Sequence, residues 1–323
     1  VSEDAGVYNY SAVMMGSPIL LKLFQPDETL ARRVFQLIKQ LENLLTVNRS
    51  PSQVMAINQA AGRHAVSVSP AVYQLIKLAH EVSLLPGGCF NFAIGPLVKR
   101  WKIGFQGHSV PPADEIARLL PLINPRDVEL DDAGQSVFLR HAGMEIDLGA
   151  IAKGWIADRV QDYLRTQGIS QALINLGGNV QTLGFPPHGG QQRWHVGLQK
   201  PFAAREELIG TINVEEMSVV TSGVYERFFT LGERQYHHIL DPATGYPLDN
   251  ELLSVTVVSR RSIDGDIFTT LLYGMGIEQG SQMLEARPDI EAIFVTRDRR
   301  VVCRSQRLFD FTLTNPQYRL AQS

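Results

Sequence analysis

His238-Ile239-Leu240-Asp241-Pro242-Ala243-Thr244-Gly245 sets an imidazole close to a carboxylate in a segment that Pro242 and Gly245 punctuate as a turn. Such a turn can hold a titrating side chain still. Taken alone, it admits a purely structural reading, in which His238 ends a strand and Asp241 caps the turn through its own backbone, as Asp before Pro often does. Three further words narrow the choice. Asp147-Leu148-Gly149-Ala150-Ile151-Ala152-Lys153-Gly154 and Asn175-Leu176-Gly177-Gly178-Asn179 lie upstream, and Asp264-Gly265-Asp266-Ile267-Phe268-Thr269-Thr270 lies downstream. Packing alone is a poor explanation for four polar or glycine-rich words in this order.

Working outward, the chain has 323 residues, 44% of them hydrophobic and 20% charged, which is the composition of an ordinary globular protein that needs no staples. It reads as one domain over 8–318, built on one large core or two intimately joined lobes, with 1–7 as a flexible N-terminus. A net charge of -3, with Lys and Arg interspersed among acids, offers no broad basic field for a phosphate backbone, so nucleic acid is not an expected partner. Cys89 and Cys303 stand among apolar or strand-like residues and form no paired metal motif, so two buried thiols are the first reading and a disulfide is not required. No apolar run is long enough to span a bilayer, and the start Val1-Ser2-Glu3-Asp4 is acidic rather than signal-like, which points to a cytoplasmic protein. A trimmed periplasmic chain would begin the same way.

Periodicity gives a mixed α and β architecture in which strands and helices do not alternate strictly, so an α+β fold with mixed sheets and packed helices is expected in preference to a doubly wound sheet. A strand over 18–24 precedes a helix with Asp27 at its cap and Val34, Leu37, Ile38, Leu41, Leu44 and Leu45 on one face. Ser69-Pro70 opens a second helix. A short helix lies between loops in 104–132, a loop covers 184–192, and a helix over 151–167 ends at Gly168. Strands follow at 172–176, 195–198, 208–214, 219–222, 253–259, 290–296, 300–303 and 309–313, with helices over 264–273 and 278–286.

Asp266 and Thr270 are four apart in a helical segment, so their oxygens point from one face toward one spot, an arrangement that suits a hard cation. The structural alternative makes Asp266 a helix cap and bonds Thr270 back to a carbonyl. Gly149 to Gly154 lacks the Gly-x-x-x-x-Gly-Lys-Ser/Thr order of a phosphate loop, which disfavours a nucleoside triphosphatase. Gly274-Met275-Gly276-Ile277-Glu278-Gln279-Gly280 misses the dinucleotide spacing by one residue and follows a helix, and no Gly-x-Ser-x-Gly elbow occurs.

Together with Met15-Gly16-Ser17, Phe90-Asn91-Phe92-Ala93-Ile94-Gly95-Pro96-Leu97-Val98 and Thr221-Ser222-Gly223-Val224-Tyr225-Glu226-Arg227-Phe228, the four words resemble the ApbE-type flavin transferases, in order and over nearly the whole chain. The resemblance implies an ApbE-like, T-fold-related architecture. It also implies a magnesium-dependent enzyme that moves FMN from FAD onto a threonine of an acceptor flavoprotein, releasing AMP. On it, Asp266, Thr270 and the main-chain carbonyl of Ala150 match the metal shell; Met15, Asn91, Phe92, Ala93, Asp147 and Lys153 match positions that contact FAD; and His238, with a reference pKa near 6.5, is the general base. Asp147 as a helix cap and Lys153 as a solvated helix cation are the structural alternatives. Asn91 departs from the usual Asp, and Asn48 stands where the family commonly has an aromatic on FAD. Two rival functions share the site: an FAD pyrophosphatase that uses water in place of threonine, and a flavin-binding protein without activity.

Overall fold

Ile19, Leu21 and Leu23 alternate with outward residues along the strand Ser17–Leu23 and are each 2% exposed or less, the period-2 burial that places a strand against a core. In the strands Leu252–Ser259 and Ile290–Thr296 almost every residue is buried, so both faces there are covered. The computed structural model describes residues 2–4, 6–49, 51–103, 108–187, 193–204 and 206–321. These residues form an α+β fold that divides into two compact units. The first gathers 1–42, 151–223 and 251–323, and the second gathers 43–150 and 224–250.

The first unit is built on a ten-stranded sheet. From edge to edge it runs Ser2–Asp4, Val7–Met14, Ser17–Leu23, Ala172–Leu176, Asn179–Leu183, Ser218–Gly223, Leu252–Ser259, Ile290–Thr296, Arg300–Val302 and Arg319–Ala321. Neighbours are antiparallel except the last pair. A three-stranded sheet of Phe309–Leu313, Leu208–Val214 and Trp194–Gln199 packs on one face, where Ile209, Ile212, Val214, Trp194 and Phe311 meet Val219, Val258, Ile293 and Val295. Full burial of one such side chain contributes about 1.5–3 kcal/mol, so this seam is a main source of cohesion for the unit. The helix Ser262–Glu285 lies on the face that Val220 presents, close enough that a Cβ on Gly265 would meet Val220 Cγ2 at 2.4 Å.

The helix read as two pieces, over 264–273 and 278–286, is one element by hydrogen bonding, but Gly276 at φ 83 breaks its backbone between those pieces. The helix Gly149–Thr166 starts two residues earlier than its periodicity suggested, and Gly168 closes it with φ +77. Asp27 Oδ1 accepts the Leu30 amide at 2.9 Å, the cap expected for the helix Glu28–Leu45. Ser69 differs: its side chain makes no cap bond, and both its amide and its hydroxyl donate to Gln53 Oε1.

The second unit holds the helices Gln53–Gln59, Pro70–Ser83, Gly95–Trp101 and Ala113–Leu119, a small sheet of Val66–Ser67, Ser136–Leu139 and Val128–Asp131, and the ribbon Phe228–Leu231 with Arg234–His237. One of its clusters packs Leu97, Trp101, Ile116, Ile123, Phe229 and Leu240. Phe229 and Tyr236, paired across the ribbon, stack with centroids 5.1 Å apart. The short helix expected in 104–132 is Ala113–Leu119, while 104–107 and, in the loop at 184–192, residues 188–192 lie outside the described residues. Among the described residues no helix is long and apolar enough to cross a membrane, and Cys89 and Cys303 are free thiols.

Candidate functional site

In the first unit, two hairpin tips lie side by side. Met14 pairs with Ser17 across Met15-Gly16, and Leu176 pairs with Asn179 across Gly177-Gly178. All four turn residues have positive φ (53°, 68°, 61° and 109°), the sign that a two-residue type I′ hairpin requires at both positions. Met15 is therefore a half-buried turn residue rather than core filler. Lys153, one turn into the helix Gly149–Thr166, reaches these tips and donates from Nζ to Ser17 Oγ at 3.0 Å. A Cβ on Gly177 would stand 2.7 Å from Lys153 Nζ and 2.7 Å from Ser17 Cβ, so the glycine keeps the space in which that bond forms.

The carboxylate of Asp266 is 7% exposed and sits at the crossing of two helices. Oδ2 accepts the Gly154 amide at 2.6 Å, and Oδ1 accepts Asn179 Nδ2 at 2.8 Å. Gly154 is glycine for a steric reason, because a Cβ there would lie 2.6 Å from both Asp266 Oδ2 and the Ser262 carbonyl. Burial drives the Asp266 carboxyl up to about 7, although the two hydrogen bonds and the more distant Lys153 charge pull it down. Asp266 does not cap its helix, so the capping alternative fails. Thr270 follows its structural alternative in part, since its hydroxyl donates back to the Asp266 carbonyl at 3.3 Å.

This donor set fits a hard cation. Among the described residues Asp266 has no ion-pair partner within hydrogen-bond reach, so its ionised form lacks a neutralising contact there, and carboxylate, hydroxyl and carbonyl oxygens are what magnesium accepts. Among the described residues no group of three or more His, Cys, Asp or Glu could hold a metal ion. A cation here would complete its shell with water and substrate phosphate, as magnesium commonly does.

In the second unit, Asp147, Asn91, Phe92, Ala93, Ala150 and His238 are placed by backbone. Phe92 and Ala93 are 1% and 0% exposed, so their side chains belong to the core and what they offer a ligand is main chain. The Phe92 carbonyl accepts the Asp147 amide at 2.7 Å, and the Asn91 side chain spans from Ala93 N (2.8 Å) to the Ile123 carbonyl (2.8 Å). Asp147 Oδ1 accepts the Gly149 amide at 2.7 Å, a helix-start contact beside exposed Ala150. Its carboxyl is raised chiefly by burial and further by Glu145, against the pull of the Gly149 amide, Lys99 and Arg227. Asn48 is exposed.

The turn that opened the reading is now explicit. Asp241 Oδ1 accepts Ala243 N at 2.9 Å and its carbonyl accepts Gly245 N at 2.8 Å, so Asp241 builds the turn and does not pair with His238. Gly245 has φ +81, its carbonyl accepts Trp101 Nε1 at 2.8 Å, and a Cβ there would meet Ile116 at 2.5 Å. The strand Arg234–His237 ends just before His238, as the structural alternative required. The two histidines are nevertheless distinct. His237 is 4% exposed, with Nε2 on the Leu248 carbonyl at 2.7 Å and Nδ1 accepting Ile239 N, so both nitrogens serve the fold. His238 is half-buried, and its Nδ1 faces the Arg227 carbonyl at 3.2 Å. A carbonyl only accepts, so this contact is a hydrogen bond when Nδ1 carries the ring proton.

Sequence reading missed Arg227 as the backbone clamp on His238, and it missed Asn179 and Gly154 as the donors to Asp266. Each lies inside a quoted word. Their roles arise from contacts between residues up to 112 positions apart, which spacing along the chain does not encode.

A model of the ApbE family matches residues 15–294. The chain is 57% identical over 318 residues to the FAD:protein FMN transferase of Klebsiella pneumoniae (strain 342), covering 98% of each. It is 38% identical over 279 residues to the FAD:protein FMN transferase of Treponema pallidum (strain Nichols), covering 83% of this chain and 77% of the relative. The ApbE protein of Thermotoga maritima superposes with a TM-score of 0.79 at 27% identity, over 90% of this chain and 94% of that one. The flavin transferase ApbE of Vibrio cholerae does so with a TM-score of 0.79 at 26% identity, over 95% and 97%. With these similarities beside its turns and buried carboxylate, the chain belongs to the ApbE family.

Proposed function

We propose that this chain is an FAD:protein FMN transferase. The threonine hydroxyl of an acceptor flavoprotein attacks the FMN-side phosphorus of FAD, the bond to the AMP-side oxygen breaks, AMP leaves, and FMN remains on the threonine as a phosphoester. His238 Nε2 takes the hydroxyl proton, and the Nδ1 contact with the Arg227 carbonyl holds the ring in the tautomer that leaves Nε2 basic. Lys153, fixed on Ser17, presents an ammonium to the anionic part of FAD, and the main chain at Phe92 and Ala93 positions the flavin half. Magnesium, held by Asp266 and Thr270, would offset pyrophosphate charge when bound.

The observation that carries this reading is the buried Asp266 carboxyl held by two uncharged donors, joined to similarity over 98% of the chain with a relative that bears the transferase name. The test is incubation with FAD, magnesium and a threonine-bearing acceptor flavoprotein, followed by mass spectrometry of the acceptor. An FMN-sized adduct on threonine is the expected result. FMN and AMP in solution with an unmodified acceptor would make the chain a pyrophosphatase, and unchanged FAD would leave it a binder.

A further inference from the structure

Asn179 opens the strand Asn179–Leu183 directly after the Gly177-Gly178 turn and is 5% exposed. Its Nδ2 donates to Asp266 Oδ1 at 2.8 Å and to Ser262 Oγ at 3.3 Å. The orientation of the amide follows from its partner, because an ionised carboxylate only accepts. With Gly154 N on the other oxygen at 2.6 Å, the Asp266 carboxylate is gripped from two directions by donors of two different elements, neither of them charged. A carboxylate has about four lone-pair sites. Two are occupied here, and the grip sets where the others point.

We propose that Asn179 is a positioning residue for Asp266, fixing the rotation of its carboxylate in the direction a divalent cation would meet. The inference rests on the reading of Asp266 as a cation ligand given under Proposed function. The chemistry favours an amide at this place. A lysine would compete with the cation, a second carboxylate would repel Asp266, and a serine hydroxyl would not reach. An amide donates a hydrogen bond and leaves the charge intact.

The same pair of helices carries a second lock that serves as a control. Asp158, 2% exposed, accepts Ser262 N at 2.7 Å and Ile263 N at 3.0 Å and has Arg261 Nε at 3.7 Å, and it makes none of these contacts with Asp266. Loosening the helix pair in general would register in variants of either residue.

The test uses the full chain stripped of cations, with Mn2+ as the probe and its binding followed by electron paramagnetic resonance. Asn179→Leu, close in volume and without a donor, should weaken Mn2+ binding by about 10- to 100-fold, the usual effect of removing a group that orients a metal ligand. Asp158→Asn should lower the thermal midpoint of the cation-free protein and change Mn2+ affinity far less than Asn179→Leu, since Asp158 acts on Asp266 only through its charge. Should the leucine variant not fold, Asn179→Ala gives the same reading. Wild-type Mn2+ affinity in the Asn179 variant overturns the proposal, and so does an equal loss of affinity in Asp158→Asn. A wild-type chain that binds no Mn2+ removes the cation reading of Asp266 together with this inference, whereas wild-type binding retained by Asn179→Leu removes this inference alone.

Discussion

The two units treat polar side chains in opposite ways. Among the described residues, the buried polar or charged side chains fall in the first unit, Asp158, Asp266 and Glu291 included, with the single exception of His237 in the second. A large sheet with layers on both faces has an interior deep enough to enclose a carboxylate, and it supplies the backbone and amide donors that make enclosure tolerable. The small ribbon and helices of the second unit leave His238 half-buried beside a turn.

The largest test of this contrast is Cys303, in the first unit. Burial, and after it the nearby Glu291 carboxylate, push its thiol from 9.0 up to about 12. At pH 8 the thiolate fraction, and with it alkylation by iodoacetamide, should be roughly 1,000-fold lower in the folded protein than in the unfolded one, measured in a Cys89→Ala background. The sign follows from linkage. A raised folded pKa stabilises the fold fully below pH 9, and that contribution is lost as pH rises toward 12. Fast labelling in the native state would mean that the half-buried Cys303 thiol is more solvated than its surroundings indicate.

Next in size is His238→Ala, which should lose ~100-fold or more in transfer rate, the usual span for a positioned general base, while FAD affinity is retained. Single-turnover kinetics beside a flavin fluorescence titration separates the two. Joint loss of binding and transfer would make His238 a pocket-building residue like its buried neighbour, and unchanged transfer would sink the general-base role.

Glycine substitutions sharpen the comparison further. Gly154→Ala forces a Cβ to within 2.6 Å of Asp266 Oδ2 and the Ser262 carbonyl, an overpacking that should cost about 1–3 kcal/mol in denaturant unfolding. Gly178→Ala meets nothing within 4 Å and carries only the penalty of positive φ, so it should cost less. Equal midpoints for the two would show that the helix crossing is pliable. The smallest effect is expected from Asp241→Ala, which removes one side-chain acceptor from an exposed amide and should cost about 0.5–1.5 kcal/mol. A large loss there would return Asp241 to the list of functional groups.

Much of the architecture was legible before the tertiary structure. The strands 172–176, 208–214, 290–296 and 309–313 have the bounds read from the sequence, because each carries its own apolar or β-branched residues between polar or turn-forming flanks. The ribbon Phe228–Leu231 with Arg234–His237 was not read as strands. Its alternation is short, and it is held by the Phe229–Tyr236 stack and the Trp101 cluster rather than by propensity. Val7–Met14 was passed over for a similar reason: of its eight residues only Tyr10 is buried, so its pattern is faint, and pairing with Ser17–Leu23 makes it a strand.

For the candidate site, the sequence by itself determined the residue types on hand: an imidazole before a turn, a carboxylate with a threonine one helical turn on, and glycines where backbone comes close. Only the tertiary structure decided what each group touches. It separated His238 from His237 by their hydrogen-bond partners, assigned Asp241 to the turn, and set Asn179 and Gly154 on the Asp266 carboxylate. The physical reason is range. Residue type and local period act over a few positions, whereas protonation state, tautomer and carboxylate orientation are fixed by burial and by donors brought from distant segments, which exist only once the chain has folded.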